Sequence, residues 1–325
     1  MNKYQNTENN RRLKTPVAFF IFNRPETTKK VFAAIAKAKP PRLFIVADGP
    51  RENYPLDRKK CQEAREIVEN INWECEVLKN YSDKNLGLKK RISSGLDWVF
   101  SQVERAIILE DDTLPSFSFF FFCEELLDKY KDDERIALIS GTNLQIVRKN
   151  SPFSYYFSLY PQIWGWATWK RFWKYYDVDI KEWPRLKNTS WLKNVLGSQG
   201  EACNYWKRVF DEVYEGRTKT WGYQITFAAW TQNALAIIPK VNLVSNIGAG
   251  VGATHMRRKW HKFSNLKRLE IEFPLSHPKK ILPDKTIDKF VEKYSLTPFK
   301  PLPARIFLYL ACQVRRWFVE RFYTL

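Results

Sequence analysis

Ala106-Ile107-Ile108-Leu109-Glu110-Asp111-Asp112-Thr113-Leu114-Pro115 is the stretch on which the reading of this chain turns. Four apolar residues, two of them β-branched, are too short a run for a helix and read as a buried strand. Three carboxylates stand at its carboxyl end, and Pro115 ends it. In an open α/β sheet, ligands bind in the crevice outside the carboxyl ends of the strands. Adjacent acids repel one another, and a divalent cation held by oxygen ligands relieves that repulsion. Taken alone, the same residues also describe a solvated acidic turn in which Asp112 or Thr113 caps the next helix.

Upstream, the pattern alternates between strand and helix. Pro16 to Phe22 (PVAFFIF) is apolar throughout, as a strand buried on both faces would be. It runs into Asn23-Arg24-Pro25, and Pro25 opens a helix that carries Val31, Phe32 and Ile35 on its inner side. Leu43 to Ala47 is a second strand, ending in Asp48-Gly49-Pro50, and a charged helix follows over 57–70. Glu76 to Leu78 is a third strand that leads to Asn85-Leu86-Gly87. The helix expected over 88–103 places Lys89, Lys90 and Arg91 in its first turn, where the helix dipole disfavours cations. That placement fits either a nearby anion or a solvated face. Downstream lie a Phe-rich helix (117–130) and a fifth strand (136–140). Alternation of this kind predicts parallel strands with helices on both faces.

After about residue 150 the pattern changes. Tyr160 to Trp169 (YPQIWGWATW) is rich in Gly and Trp, and precedes a short helix near 170–176. Trp164, Trp166 and Trp169 read either as core or as a flat platform on which a sugar ring stacks. Thr220-Trp221-Gly222-Tyr223-Gln224 begins another helix, and Ala234 to Pro239 is a strand. Asn242 to His255 is a Gly-rich loop. Its Gly248-Ala249-Gly250-Val251-Gly252 core reads as a lid or turn more readily than as a phosphate cradle, since GxGxxG is absent after the first strand and GxxxxGK[ST] is absent altogether.

A net charge of +19 over 325 residues calls for anionic partners: phosphorylated ligands, anionic lipid or nucleic acid. Five dispersed cysteines without a CxxC imply no disulfide framework or zinc site, and a reducing cytoplasm is expected. The polar N-terminus has no apolar core of a signal peptide, and no run of 18 apolar residues occurs. Residues 1–14 are expected to be a disordered arm. From Met256 onward the chain is basic, with a net charge of about +10. Within it, Ala304 to Leu325 combines Ile306, Leu308, Leu310, Trp317 and Phe318 with Arg305, Arg315, Arg316 and Arg321. That composition suits a helix lying on an anionic leaflet, and equally one packed on the domain.

Together these pieces resemble a known family. A first strand ending in Asn23-Arg24, a second ending in Asp48-Gly49, the Asn85-x-Gly87 loop and ILEDD resemble the nucleotide-sugar half of GT-A glycosyltransferases. YPQIWGWATW, TWGYQ, IIPKVNLVSNIG and GATH extend the likeness to the N-acetylglucosaminyltransferase I family and related uncharacterised bacterial sugar transferases. The likeness covers about residues 15–256. It implies a GT-A Rossmann-like mixed sheet with helices on both faces. Residues 15–145 would form the nucleotide-sugar half and 146–256 the acceptor half, with a basic region at 257–325. Arg24 would sit beside the base or diphosphate, and Asp48 would accept the uracil N3–H. Asn85, in the matching loop, would belong to the same donor site. Glu110 and Asp111 would contact donor sugar and ribose, Asp112 would hold Mn²⁺ or Mg²⁺, and Thr254 would close over the diphosphate.

The implied function is metal-dependent transfer of a sugar from a nucleotide-sugar, a UDP-sugar by this likeness, to a surface-glycan or lipid-linked acceptor, with inversion. The enzyme would be cytoplasmic, at the inner face of the plasma membrane if the tail binds lipid. One position departs from the family: the catalytic Asp expected after Trp221 is Gly222, which transfers no proton. Asp211, Glu212 and Glu215 are the nearby carboxylates that could replace it, or the acceptor brings its own base. Three rivals remain. A degenerate nucleotide-sugar binder is motivated by Gly222. A nucleotidyltransferase would carry a Gly- and Arg-rich loop after the first strand, which FNRPETT lacks. A nucleic-acid-binding protein is disfavoured because acids at the strand ends repel backbone phosphates.

Overall fold

The computed structural model describes residues 12–145, 151–197, 200–248 and 263–295. In chain order the elements of the first half are β1 (Val17–Ile21), α1 (Pro25–Ala38), β2 (Arg42–Ala47), α2 (Pro55–Ile67), β3 (Glu76–Tyr81), α3 (Leu88–Phe100), β4 (Arg105–Glu110), β5 (Thr113–Pro115), α4 (Phe117–Lys129) and β6 (Ile136–Ser140). The second half adds β7 (Tyr155–Ser158), β8 (Trp166–Trp169), α5 (Lys170–Trp173), α6 (Trp183–Leu186), α7 (Trp191–Leu196), α8 (Glu201–Tyr214), α9 (Gly222–Thr231), β9 (Leu235–Pro239), β10 (Val244–Asn246) and α10 (Lys285–Ser295).

Eight strands form one sheet in the order β3-β2-β1-β4-β8-β6-β9-β7. The first four are mutually parallel, and β8 runs antiparallel between β4 and β6. The expected Rossmann-like mixed sheet with helices on both faces is therefore what the chain forms. Every residue of β1 is buried, and alternate side chains feed two cores. Ala18 and Phe20 join Phe44, Val46 and Ile108 on one face, under α3, α8 and α9. Val17, Phe19 and Ile21 join Leu43, Ile45, Ile107 and Leu109 on the other, under α1 and the four phenylalanines 119–122 of α4. Gly95 lets α3 close on the sheet, since a Cβ there would stand 2.6 Å from Phe20 Cε1.

β1 lies between β2 and β4, so the chain winds away from it in both directions. The two loops that leave the carboxyl ends of β1 and β4 therefore diverge and open a crevice. Asn23-Arg24 occupies one loop and Asp111-Asp112 the other. A second, two-stranded sheet pairs β5 with β10 antiparallel, placing Asn246 opposite Thr113 and returning the late chain to the acidic turn.

One open alternative is decided and two expectations are revised. Trp166 and Trp169 belong to β8 and are buried, with Trp169 Nε1 donating to the Leu127 carbonyl at 3.0 Å. Because alternate residues of an interior strand point into opposite cores, these two tryptophans, three positions apart, are buried one in each core and are not available to a ligand. Leu13, placed in the N-terminal arm, is buried, and its N–H donates to the Ala38 carbonyl at 3.2 Å. Residues 263–295, set apart as a basic region, include side chains of the two sheet cores: Ile271 and Leu275 join one, Ile287 and Val291 the other, while Leu266 packs with Phe263 in a small separate cluster. Asp288 on α10 accepts from Ser158 Oγ at 2.6 Å, and Tyr160 donates to Glu292 at 2.8 Å. The segment 304–325 lies outside the described residues. Among those described, no helix is long and apolar enough to cross a membrane.

Candidate functional site

The crevice is the mouth of a cleft of about 1270 Å³. One wall comes from the strand ends of the first half: Phe22, Arg24, Asp48, Arg51, Asn85 and Glu110 to Asp112. The opposite wall comes from the second half and is aromatic, with Tyr160, Trp164, Tyr205, Trp206, Trp221 and Tyr223. Of the three tryptophans that read either as core or as a platform, only Trp164 borders the cleft.

Glu110, Asp111 and Asp112 converge with Arg24. The Arg24 guanidinium donates to Asp112 Oδ2 at 2.5 Å and approaches Asp111 Oδ1 at 3.4 Å. The Phe22 N–H donates to Asp111 Oδ2 at 3.0 Å, which fastens the end of β1 to the acidic turn. Burial raises the pKa of Glu110 well above the carboxylate range, and Asp112 and Asp111 add to it while Arg24 opposes. Burial also raises Asp111, with Arg24 opposing and Asp112 reinforcing. Among the described residues, one cation, Arg24, thus pairs within a group of three acids. The acidic turn is not a helix cap: Thr113 Oγ1 accepts from the Glu110 N–H at 2.8 Å, and α4 begins after Ser116.

β10 closes this site from above. The Ile247 N–H donates to the Asp112 carbonyl at 2.8 Å, and Asn246 Oδ1 holds the Gly248 N–H at 3.0 Å. A Cβ on Gly248 would fall 2.1 Å from Asp112 Oδ2, so only glycine leaves that carboxylate its place. The surplus of negative charge and the open space beside Asp112 fit a divalent cation. Asp112, which gives Arg24 only its Oδ2, would hold it, whereas both oxygens of Asp111 already accept from the Phe22 N–H and Arg24. Among the described residues, no group of three or more His, Cys, Asp or Glu forms a metal cage without substrate.

At the carboxyl end of β2, Asp48 is buried and saturated. Its Oδ1 accepts from the Gly49 and Leu86 N–H groups, both at 2.9 Å, and its Oδ2 from the Gly87 N–H and Asn85 Nδ2, both at 3.1 Å. A carboxylate offers about four lone-pair sites, and here all four are filled. Burial raises its pKa, partly offset by the N–H groups of Leu86, Gly49 and Gly87. Asp48 therefore clamps the 85–87 loop at the start of α3, and the expected uracil contact finds no open acceptor on it. Beside it, Arg51 is held by Asp57 at 2.5 Å and lies 3.7 Å over the Tyr54 ring. Its partner Asp57 also accepts from Asn23 Nδ2 at 2.7 Å.

The replacements considered for the missing base lie elsewhere. Asp211 accepts from Trp183 Nε1 at 2.9 Å and pairs with Lys187 at 2.7 Å. Glu215 is exposed and held by Arg217 at 2.5 Å. Neither these two nor Glu212 borders the cleft, because α8 turns those positions toward α6 or solvent. Gly222, at the start of α9, does line the cleft, and a Cβ there would meet Ile163 Cδ1 at 2.6 Å. Ile163 fills the space that a side chain at 222 would need. Among the described residues, the only carboxylates lining the cleft are Asp48, Glu110, Asp111 and Asp112. Thr254 lies outside the described residues.

Several cleft residues carried no signal in sequence. Tyr205 and Trp206 sit on an ordinary amphipathic helix, Lys219 in a polar loop, and Arg51 after a turn. Arg51 alone was reachable, as the first cation beyond Asp48-Gly49-Pro50.

No family model matches the chain, and no curated protein matches it. Solved structures give loose similarities. A UDP-glucose pyrophosphorylase complexed with UDP-glucose is 13% identical over 72% of this chain and 93% of that one, with a TM-score of 0.36. The inositol-1-phosphate CTP transferase from T. maritima is 12% identical over 50% of this chain and 74% of that one, with a TM-score of 0.30. The 4-diphosphocytidyl-2C-methyl-D-erythritol synthase from Anaerococcus prevotii DSM 20548 is 10% identical over 66% and 97%, with a TM-score of 0.32. Resemblance this distant decides nothing about chemistry.

Proposed function

We propose that this chain is a metal-dependent glycosyltransferase that moves a sugar from a UDP-sugar to a glycan or lipid-linked acceptor. The observation that carries the reading is the convergence of Glu110, Asp111 and Asp112 with Arg24 at the floor of a two-walled cleft. A pocket for one small molecule usually spans about 300–1000 Å³, and this cleft exceeds that range, leaving room for two substrates. The polar wall suits a charged donor and the aromatic wall a sugar acceptor, whose apolar ring faces stack on Trp and Tyr.

In such a reaction the leaving nucleoside diphosphate gains charge as the glycosidic bond breaks. A bound Mn²⁺ or Mg²⁺ supplies Lewis-acid stabilisation of that charge. Arg24 stays anchored to Asp111 and Asp112 beside it, and Lys90 and Lys219 add positive charge to the cleft walls. Glu110 faces the reacting region from the end of β4. With Ile163 in the place of a side chain at 222, no acceptor-side carboxylate is present among the described residues, and the proton released by the acceptor hydroxyl passes to a basic group of the acceptor itself or to bulk water. The same observation supports a second reading, a nucleotide-sugar binder without turnover.

Incubation with Mn²⁺ and a panel of UDP-sugars and glycan acceptors, followed by detection of free UDP, tests the proposal. Acceptor-stimulated UDP release that Asp112→Asn abolishes is the expected result. Metal-dependent donor binding without release supports the binder. UTP formed from UDP-sugar and pyrophosphate would identify a nucleotidyltransferase instead. Contact of Ala304 to Leu325 with an anionic leaflet belongs to the same proposal: removal of residues 304–325 should abolish sedimentation with phosphatidylserine vesicles, and unchanged sedimentation would refute it.

A further inference from the structure

The filling of Asp48 leaves open which group reads the nucleobase, and the neighbouring amide answers it. Asn85 Nδ2 donates to Asp48 Oδ2 at 3.1 Å and to the Gly49 carbonyl at 2.8 Å. Asp48 as a carboxylate and a backbone carbonyl both only accept, so the amide nitrogen must face them and the Asn85 rotamer admits no flip. An amide is planar with its oxygen about 120° from its nitrogen, and Oδ1 consequently faces away from Asp48. Asn85 lines the cleft, and Oδ1 carries no hydrogen bond among the described residues. Oδ1 is therefore an acceptor held in a fixed direction by three groups behind it: Asp48, the Gly49 carbonyl and the Leu86-Gly87 backbone that Asp48 clamps.

Resting on the nucleotide-sugar reading, we propose that Asn85 Oδ1 is the group that recognises the base, by accepting the ring imide N–H of uracil, while Asp48 positions Asn85. Uracil presents a donor at N3, whereas cytosine presents a bare acceptor there, which a carbonyl-type oxygen repels. Asp48 acts only through Asn85 and never touches the ligand. The arrangement makes base selection depend on a neutral acceptor whose orientation is imposed by a buried charge. Phe22 and Arg51 also line the cleft, with the Arg51 guanidinium 5.5 Å from the Phe22 ring centroid, and are flat groups on which a base can stack.

The test is a coupling measurement by calorimetric titration, with Mn²⁺ present, of UDP and of 3-methyl-UDP, in which the imide hydrogen is replaced. Wild type should bind UDP at least tenfold more tightly than 3-methyl-UDP, the consequence of one directed hydrogen bond. Asn85→Ala should weaken UDP at least tenfold and leave 3-methyl-UDP within twofold, so that the preference disappears. Equal binding of the two ligands by wild type overturns the assignment without requiring any variant to fold. A preference that persists in Asn85→Ala also overturns it and returns the reading of the base to Asp48. Failure of wild type to bind UDP at all, with or without metal, removes the nucleotide-sugar reading itself along with this inference.

Discussion

Asp48→Asn separates a loop clamp from a ligand contact. The carboxylate takes four donors, two on each oxygen. An Asn side chain keeps one oxygen, so its amide nitrogen must face either the Gly49 and Leu86 N–H groups or Gly87 N–H and Asn85 Nδ2. In both orientations two donors lose their acceptor. A buried donor left unsatisfied costs about 1–3 kcal/mol, and relief of the buried charge offsets a fraction of the pair, which leaves roughly 2–4 kcal/mol. Unfolding entropy near 2.1 cal/mol/K per residue over 325 residues converts that to a fall in Tm of about 3–6 °C. Intrinsic tryptophan fluorescence follows the melt, and amide exchange should accelerate selectively at Leu86 and Gly87. A Tm within 1 °C of wild type and unchanged exchange at those two amides, together with loss of UDP binding, would refute the clamp and make Asp48 a ligand contact.

Gly248→Ala should drive the Asp112 carboxylate off Arg24, lowering metal-dependent donor affinity at least tenfold while Tm moves by less than 2 °C; undiminished affinity would show that Asp112 does not serve the donor. Gly222→Asp alone should stay inactive or lose stability against Ile163, whereas Gly222→Asp with Ile163→Ala should raise acceptor-stimulated UDP release. No gain in the double variant would show that the absence of a side chain at 222 does not limit the reaction. Burial raises Asp288 to about 6, against the hydrogen bonds from Ser158 and Leu159, with Glu292 and Asp284 adding to the rise. A carboxyl whose folded pKa exceeds its unfolded value stabilises the fold below about pH 4 and loses that contribution as pH rises through about 6. Asp288→Asn should therefore gain on wild type by about 2–3 kcal/mol between pH 4 and pH 7.5; a stability difference that does not vary with pH would eliminate the charge penalty.

The parallel half of the sheet was legible because β1, β2 and β4 are apolar runs ended by punctuation: Asn-Arg-Pro, Asp-Gly-Pro and Glu-Asp-Asp. The acidic turn at the β4 end was legible for the same reason; its pairing with Arg24 was not, since 87 and 88 positions separate the partners and only the strand order joins them. The second half was less so. β8 hides inside YPQIWGWATW because tryptophan at alternate positions marks a strand as readily as a surface, and only neighbours on both sides decide. β7 and β10 are four and three residues long, too short for period-two alternation to register. The saturation of Asp48 was beyond reach, since three of its four donors are backbone N–H groups that every non-proline residue carries. Ile163 opposite Gly222 is a tertiary coincidence between residues 59 positions apart, and no local pattern encodes it.

α10 is stitched by Asp288 and Glu292 to the 158–160 strand exit, and its Val291 borders the cleft. Glu292 and Asp288 thus shape the cleft without lining it: the Tyr160 hydroxyl is tied to Glu292, and the turn that carries Tyr160 is tied to Asp288. A late helix, far in sequence from the strand ends, therefore sets where one ring of the aromatic wall stands. Whatever loosens α10 is felt at that wall, although among the described residues the helix lends the cleft only Val291.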